Sequence, residues 1–154
     1  MTRTIPGSWP VQDFPYLNET NCVETSPFKR RYNCIAWAAG DITRKWWPDI
    51  TNKGYWPPVV RREETMAAFV EAYETLGYKL CFDERLEQGI EKIALYGIEQ
   101  PDKTILPTHA ARQLESGEWT SKLGDFEDIS HKTLDDLNGL VYGRMICCMA
   151  RRRN

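Results

Sequence analysis

Thr108-His109-Ala110-Ala111-Arg112-Gln113-Leu114-Glu115-Ser116-Gly117-Glu118-Trp119-Thr120-Ser121-Lys122-Leu123-Gly124 holds two strand-forming runs joined by a turn-forming Ser-Gly pair. Such a stretch predicts a β-hairpin, and with it an antiparallel sheet. With Ser116-Gly117 as a two-residue turn, Gln113 faces Thr120, Ala111 faces Lys122 and His109 faces Gly124, with Asp125 just beyond. The flanking segments extend the sheet. Tyr78, Leu80 and Phe82 alternate with Lys79 and Cys81, and Glu91 to Tyr96 alternates in the same way. Downstream, Thr133 to Leu137 reads as a short helix. Tyr142 to Met149 reads as a closing strand with Met145, Cys147 and Met149 on one face and Ile146 and Cys148 on the other.

Before the strands, the period changes. Arg62 to Leu76 carries Met66, Phe69, Val70, Tyr73 and Leu76 on one stripe, followed by Gly77, which predicts an amphipathic helix. Trp46, Trp47, Pro48, Tyr55, Trp56, Pro57 and Pro58 mark an irregular aromatic loop ahead of it. Tyr32-Asn33-Cys34-Ile35-Ala36-Trp37-Ala38-Ala39-Gly40 predicts a short buried helix, capped by Asn33 and stopped by Gly40. Residues 1–31 are rich in proline and turn formers and read as an extended arm. The expected class is therefore α+β, with N-terminal helices packed on an antiparallel sheet: arm 1–31, one domain 32–150 and a basic tail 151–154.

Composition narrows the function. The 154 residues suit a single domain, and 42% hydrophobic with 27% charged residues is an ordinary globular balance. A net charge of -2 points to no nucleic-acid partner and no anionic membrane surface. No apolar run reaches the ~20 residues of a membrane span, and the start lacks the apolar core of a signal peptide, so a cytoplasmic location is expected. Five cysteines at irregular spacing, with no C-x-x-C pair, indicate neither a disulfide framework nor a zinc site. No metal and no cofactor are expected.

Cys34 opens a helix, where unpaired amides favour a thiolate, and a thiol nucleophile needs a base. Only His109 and His131 supply imidazoles, and His109 starts a strand, a rigid support. The third member, which would hold the far imidazole nitrogen, is Asp125 from the hairpin register, with Ser121, Asp128 and His131 as alternatives. Asn33, Trp37 and Trp56 are the candidate substrate contacts.

Cysteine at the start of a buried helix, then histidine at the start of an antiparallel strand, then a polar residue, resembles the papain-like cysteine hydrolases, in particular the compact NlpC-type amidases and peptidases. The blocks Tyr32-Asn33-Cys34-Ile35-Ala36-Trp37, Thr108-His109-Ala110-Ala111-Arg112-Gln113 and Trp119-Thr120-Ser121-Lys122-Leu123-Gly124 also resemble a group of small bacterial proteins of unknown function. The first resemblance implies a papain-like fold, Cys34 as nucleophile and His109 as base. It predicts a cysteine hydrolase or acyl transferase acting on a peptide or amide through a thioester. The competing expectation is a non-enzymatic binding domain that uses the aromatic loop 46–58.

Overall fold

The structure is a computed structural model that describes residues 13–18, 20–26, 31–123 and 128–153. Among these, one sheet holds β1 (Cys22–Ser26), β2 (Lys79–Cys81), β3 (Ile90–Glu99), β4 (Ile105–Gln113), β5 (Trp119–Lys122), β6 (Asp128–His131) and β7 (Arg144–Arg152). The order across it is β1-β6-β5-β4-β3-β7-β2, with every neighbour antiparallel. Helices α1 (Cys34–Ala39) and α2 (Met66–Glu74) and a 3-10 turn (Leu134–Leu137) pack on it. No helix among the described residues is long and apolar enough to cross a membrane.

This architecture corrects the α+β, papain-like or NlpC-like expectation of N-terminal helices on a sheet. Among the described residues the chain is mostly antiparallel sheet, and the two α-helices are six and nine residues long. The physical reason lies in the caps and the prolines. Thr65 accepts from the Ala68 amide at 3.2 Å and starts α2 there, which leaves Arg62-Glu63-Glu64 outside. Between the helices Pro48, Pro57 and Pro58 keep the chain irregular. The sheet grows at both ends: residues 22–26, expected within the arm, form edge strand β1 against β6, and β7 runs on to Arg152.

Alternation divides the core in two. Ile93, Leu95, Ala110 and Met149 face α1, α2 and the aromatic loop. Ala94, Tyr96, Ala111, Trp119 and Ile129 face Phe14, Leu17, Leu134, Leu137 and Tyr142 on the other side. On the helix side, Phe69 is fully buried with the Trp47 and Trp56 rings 5.3 and 5.1 Å away. The Tyr73 hydroxyl donates to the Ile35 carbonyl at 2.7 Å and ties α2 to α1. The loop's aromatic area is therefore used within the core.

Two irregularities matter for the site. The hairpin turn holds three residues: Leu114 N donates to Glu118 O at 2.7 Å, and Gly117 adopts φ +93. The observed pairs are Arg112 with Thr120 and Gln113 with Trp119, one residue away from the two-residue-turn expectation. In addition, β3 shifts register beside Tyr96 against both β4 and β7. Gly97 permits this close approach, because a Cβ there would lie 2.5 Å from Ile105 Cγ2 and 2.9 Å from the Leu106 carbonyl oxygen. The shift also puts Met145 on the Cys148 side of the sheet, away from Cys147.

Candidate functional site

α1 is held at both ends. Asn33 Oδ1 accepts from the amides of Ala36 and Trp46, each at 3.1 Å, and its Nδ2 donates to the Trp46 carbonyl at 2.8 Å. Gly40 closes the helix at φ +83. Asn33, expected as a substrate contact, therefore spends its amide on the cap and on anchoring the aromatic loop. Cys34 follows it, 7% exposed.

The Cys34 thiol lies against β4. Its Sγ is 3.9 Å from the Thr108 carbonyl, and the Ala110 amide also bears on it. Thus it touches backbone on either side of His109. β5 pairs with β4 only at Arg112 and Gln113, so residues 108–110 have no β5 ladder partner. Burial pushes the thiol up to about 11, against the opposing pull of the Ala110, Ile35 and Cys34 amides and of Lys122. The expected helix-terminus stabilisation of a thiolate is outweighed by desolvation. Cys34 rests as a thiol.

His109, 1% exposed, stands opposite Tyr96 on β4. Its ring stacks on Tyr142, with centroids 4.0 Å apart and planes at 14°, and the Tyr96 ring meets it edge-on at 5.3 Å. His109 Nε2 lies 3.0 Å from Ser121 Oγ, which lies 2.8 Å from His131 Nε2. His131 Nδ1 is 2.9 Å from the Thr133 carbonyl.

Proton positions follow from this chain. A carbonyl only accepts, so His131 Nδ1 carries hydrogen. Burial holds His131 down to about 4 and His109 well below the usual histidine range, with the His131 charge adding to the effect on His109. Both are therefore neutral near pH 7. His131 Nε2 is then bare and accepts from Ser121, and Ser121 Oγ accepts from His109 Nε2–H. That leaves His109 Nδ1 as a bare acceptor, buried and with no partner among the described residues.

On the α1 side of β5 sits Lys122, fully buried, with Nζ 5.5 Å from the centroid of the Tyr32 ring. Tyr32 donates to Asp128 at 2.6 Å, and Asp128 pairs across the ladder with Lys122. Trp37 stacks on Tyr32 at 5.4 Å and donates to Thr120 Oγ1 at 3.2 Å. Trp56 donates to the Arg61 carbonyl at 3.0 Å and is buried in the core against Phe69.

Of the expected site residues, the structure brings Cys34 against the His109 backbone without a hydrogen bond between their side chains. β4 runs between the α1 face, which carries Cys34 and Ala110, and the Tyr96 face, which carries the His109 ring. Ser121 and His131, the alternatives for the third member, are the residues that bond in sequence to His109. Asp128 lies on the Tyr32 side. Asp125 lies outside the described residues. Sequence reasoning missed Lys122 and Tyr142. The three-residue turn was the available signal, since continuing the observed ladder puts Ser121 on the face of His109 and Lys122 on the face of Cys34. Two surface pockets of about 510 and 570 Å³ open elsewhere, one at 86–89 with Glu115 and Arg153 and one at Pro15, Tyr16 and 138–140.

Fold and site together define a seven-stranded antiparallel sheet that buries a cysteine on one face of β4 and a His-Ser-His chain on the other. The chain belongs to the family described as Domain of unknown function (DUF7689), whose model matches residues 23–150. No curated protein and no solved structure matches it.

Proposed function

We propose that the protein is a cysteine-dependent hydrolase or acyl transferase acting on a carboxamide or peptide, with Cys34 as nucleophile and His109 as base. One observation carries this reading: the thiol touches backbone on both sides of His109, whose Nδ1 is the ring nitrogen not used by the hydrogen-bonded chain. Thiol and imidazole rest neutral on opposite faces of β4, so the reaction requires the His109 ring to reach the thiol past the 108–110 edge that β5 leaves unpaired. The proton then passes from sulfur to His109 as sulfur attacks the acyl carbon. His109 then returns that proton to the departing amine, leaving a thioester on Cys34. Water or a second nucleophile attacks the thioester and yields its own proton to His109, the C–S bond breaks to release the acid or transfer product, and His109 returns the proton to the departing Cys34 sulfur. Substrate entry requires an opening over the thiol, since Cys34 is 7% exposed.

The binding-domain alternative has less support. Trp46 and Trp56, which would form its surface, are 4% and 3% exposed. A cytoplasmic setting suits the reading, because Cys22, Cys34, Cys81, Cys147 and Cys148 are all free thiols.

The test is acyl transfer from p-nitrophenyl acetate, followed by peptide mapping of the acetylated cysteine. Expected is a burst of p-nitrophenolate with hydroxylamine-labile acetyl on Cys34, lost in Cys34→Ser and reduced about 100-fold or more in His109→Ala. Acetylation spread over the other cysteines, or indifferent to His109, overturns it.

A further inference from the structure

We propose that Cys81 on β2 and Cys148 on β7 are a redox pair that closes into a cross-strand disulfide and locks β2 to the sheet. The inference is independent of the reading of Cys34 and His109.

The ladder selects the pair. Cys81 stands directly opposite Cys148, and the same row continues through Ala94 on β3 and Ala111 on β4. Directly opposed residues of an antiparallel pair have Cα atoms about 4.5 or about 5.5 Å apart, inside the span of about 4.4–6.8 Å that a disulfide bridges. Both side chains belong to the Tyr96 half of the core, Cys148 buried and Cys81 half-buried against it. The other three cysteines lie elsewhere. Cys147 and Cys34 belong to the opposite half, and Cys22 sits on β1 at the far end of the strand order.

The edge position leaves Cys81 room to turn. β2 is three residues long and among the described residues pairs with β7 alone, so one ladder holds it. Cys81 Sγ donates to the Asp83 carbonyl at 3.5 Å, and turning toward Cys148 gives up that single weak bond. Its neighbours Leu80 and Phe82 are 59% and 107% exposed, so the chain on either side of Cys81 is open to solvent. Lys92, 1% exposed, lies on the same face of β3 and is held by Glu87 at 2.8 Å and Asp83 at 3.3 Å. Its ammonium draws both thiols down, while Asp83 and Glu87 act against it at Cys81, and Glu84 does so at Cys148. Burial outweighs the ammonium, and both thiols are raised, Cys148 to about 12. Neither rests as a thiolate, so no charge stabilises the reduced form over the disulfide.

Glutathione disulfide is the class of oxidant the step needs. The Cys81 sulfur attacks one of its sulfurs and loses its proton; the glutathione S–S bond breaks, and the released glutathione takes that proton. The Cys148 sulfur then attacks the Cys81 sulfur of the mixed disulfide, and the second glutathione leaves with the Cys148 proton. Two thiols are oxidised to one disulfide, and one glutathione disulfide is reduced to two thiols.

The full chain, incubated with glutathione disulfide, quenched in acid, alkylated with iodoacetamide in denaturant and cut with trypsin, yields peptides 80–85 and 145–151. Expected is a species that joins the two with the alkyl group on Cys147, and a fall from five to three free thiols per chain. Cys147→Ala should leave the yield of the bridge unchanged, and Cys148→Ala should stop the reaction at the Cys81–glutathione mixed disulfide. The oxidised chain should unfold at a higher urea concentration than the reduced one, because the bridge closes residues 81 to 148 into a loop in the unfolded state. Five free thiols after prolonged oxidation, a link through Cys147, a bridge between two chains, or a mixed disulfide that persists in the parent overturns the pair. An unchanged or lower urea midpoint overturns the lock. The parent's peptide map decides the pairing even where Cys148→Ala does not fold.

Discussion

His109 and His131 share a single hydroxyl: Ser121 Oγ stands 3.0 Å from Nε2 of one ring and 2.8 Å from Nε2 of the other. Both rings and the serine are at most 1% exposed, so water cannot replace a lost partner. Ser121→Ala strands one donor and one acceptor, and the expected loss of folding stability is about 1–3 kcal/mol. Urea unfolding measures it. A change below a few tenths of a kcal/mol would mean the serine does not bridge the rings.

The same burial makes stability fall in acid. Desolvation holds both histidines below the ordinary value, His131 at about 4, so between about 6.5 and 4 the unfolded chain binds protons that the folded chain does not. Unfolding free energy therefore rises with pH across that window. The stabilisation is fully present above about 6.5 and is lost as pH falls through the folded values, with roughly 3 kcal/mol from His131 alone below about pH 4. Urea midpoints at a series of pH values test this, and His131→Gln should flatten the dependence.

Asn33 joins helix to loop with three hydrogen bonds, one to Ala36 and two to Trp46. Asn33→Ala removes the cap and leaves the Trp46 backbone unpaired, at an expected cost of about 2 kcal/mol or more. Asn33→Asp keeps both acceptor contacts and should recover part of that loss. Thermal unfolding of the two variants separates cap from anchor, and equal effects would mean the Trp46 carbonyl contact carries the whole cost.

These three residues show what a sequence can reveal here. The Asn33 cap and the Gly40 stop are local chemistry, legible from side-chain type and position, and α1 has the predicted ends. The hairpin was legible as a hairpin, but its register turned on one residue. Ser116-Gly117 fits a two-residue turn in composition, while the chain includes Glu115 in the loop and puts Gly117 in the left-handed position. That single slip exchanges the faces of Ser121 and Lys122. β1 carries no period to distinguish it from an arm, because Cys22–Ser26 is made a strand by its pairing with β6. The amphipathic stripe from Arg62 overstates the helix, because it does not show where the Thr65 hydroxyl will start it. Burial around Cys34 is likewise a property of the packed sheet, and it reverses the local expectation of a lowered thiol.

Lys122 offers the last test, on the opposite face from the histidines. It is fully buried, and its charge acts on Cys34 against the much larger effect of desolvation. Removing it should leave the thiol harder to ionise, so Lys122→Met shifts the pH profile of Cys34 alkylation by iodoacetamide upward. At a fixed alkaline pH the rate should fall roughly 3- to 10-fold. Lys122→Arg keeps the charge on a bulkier head group and should hold the profile near that of the parent. Peptide mapping isolates Cys34 from the other four cysteines. Cys147 provides an internal reference, because its thiol is raised by burial and by Cys81 with no contribution from Lys122. Equal slowing of both would indicate loosened packing; slowing confined to Cys34 would be the electrostatic effect of one buried ammonium.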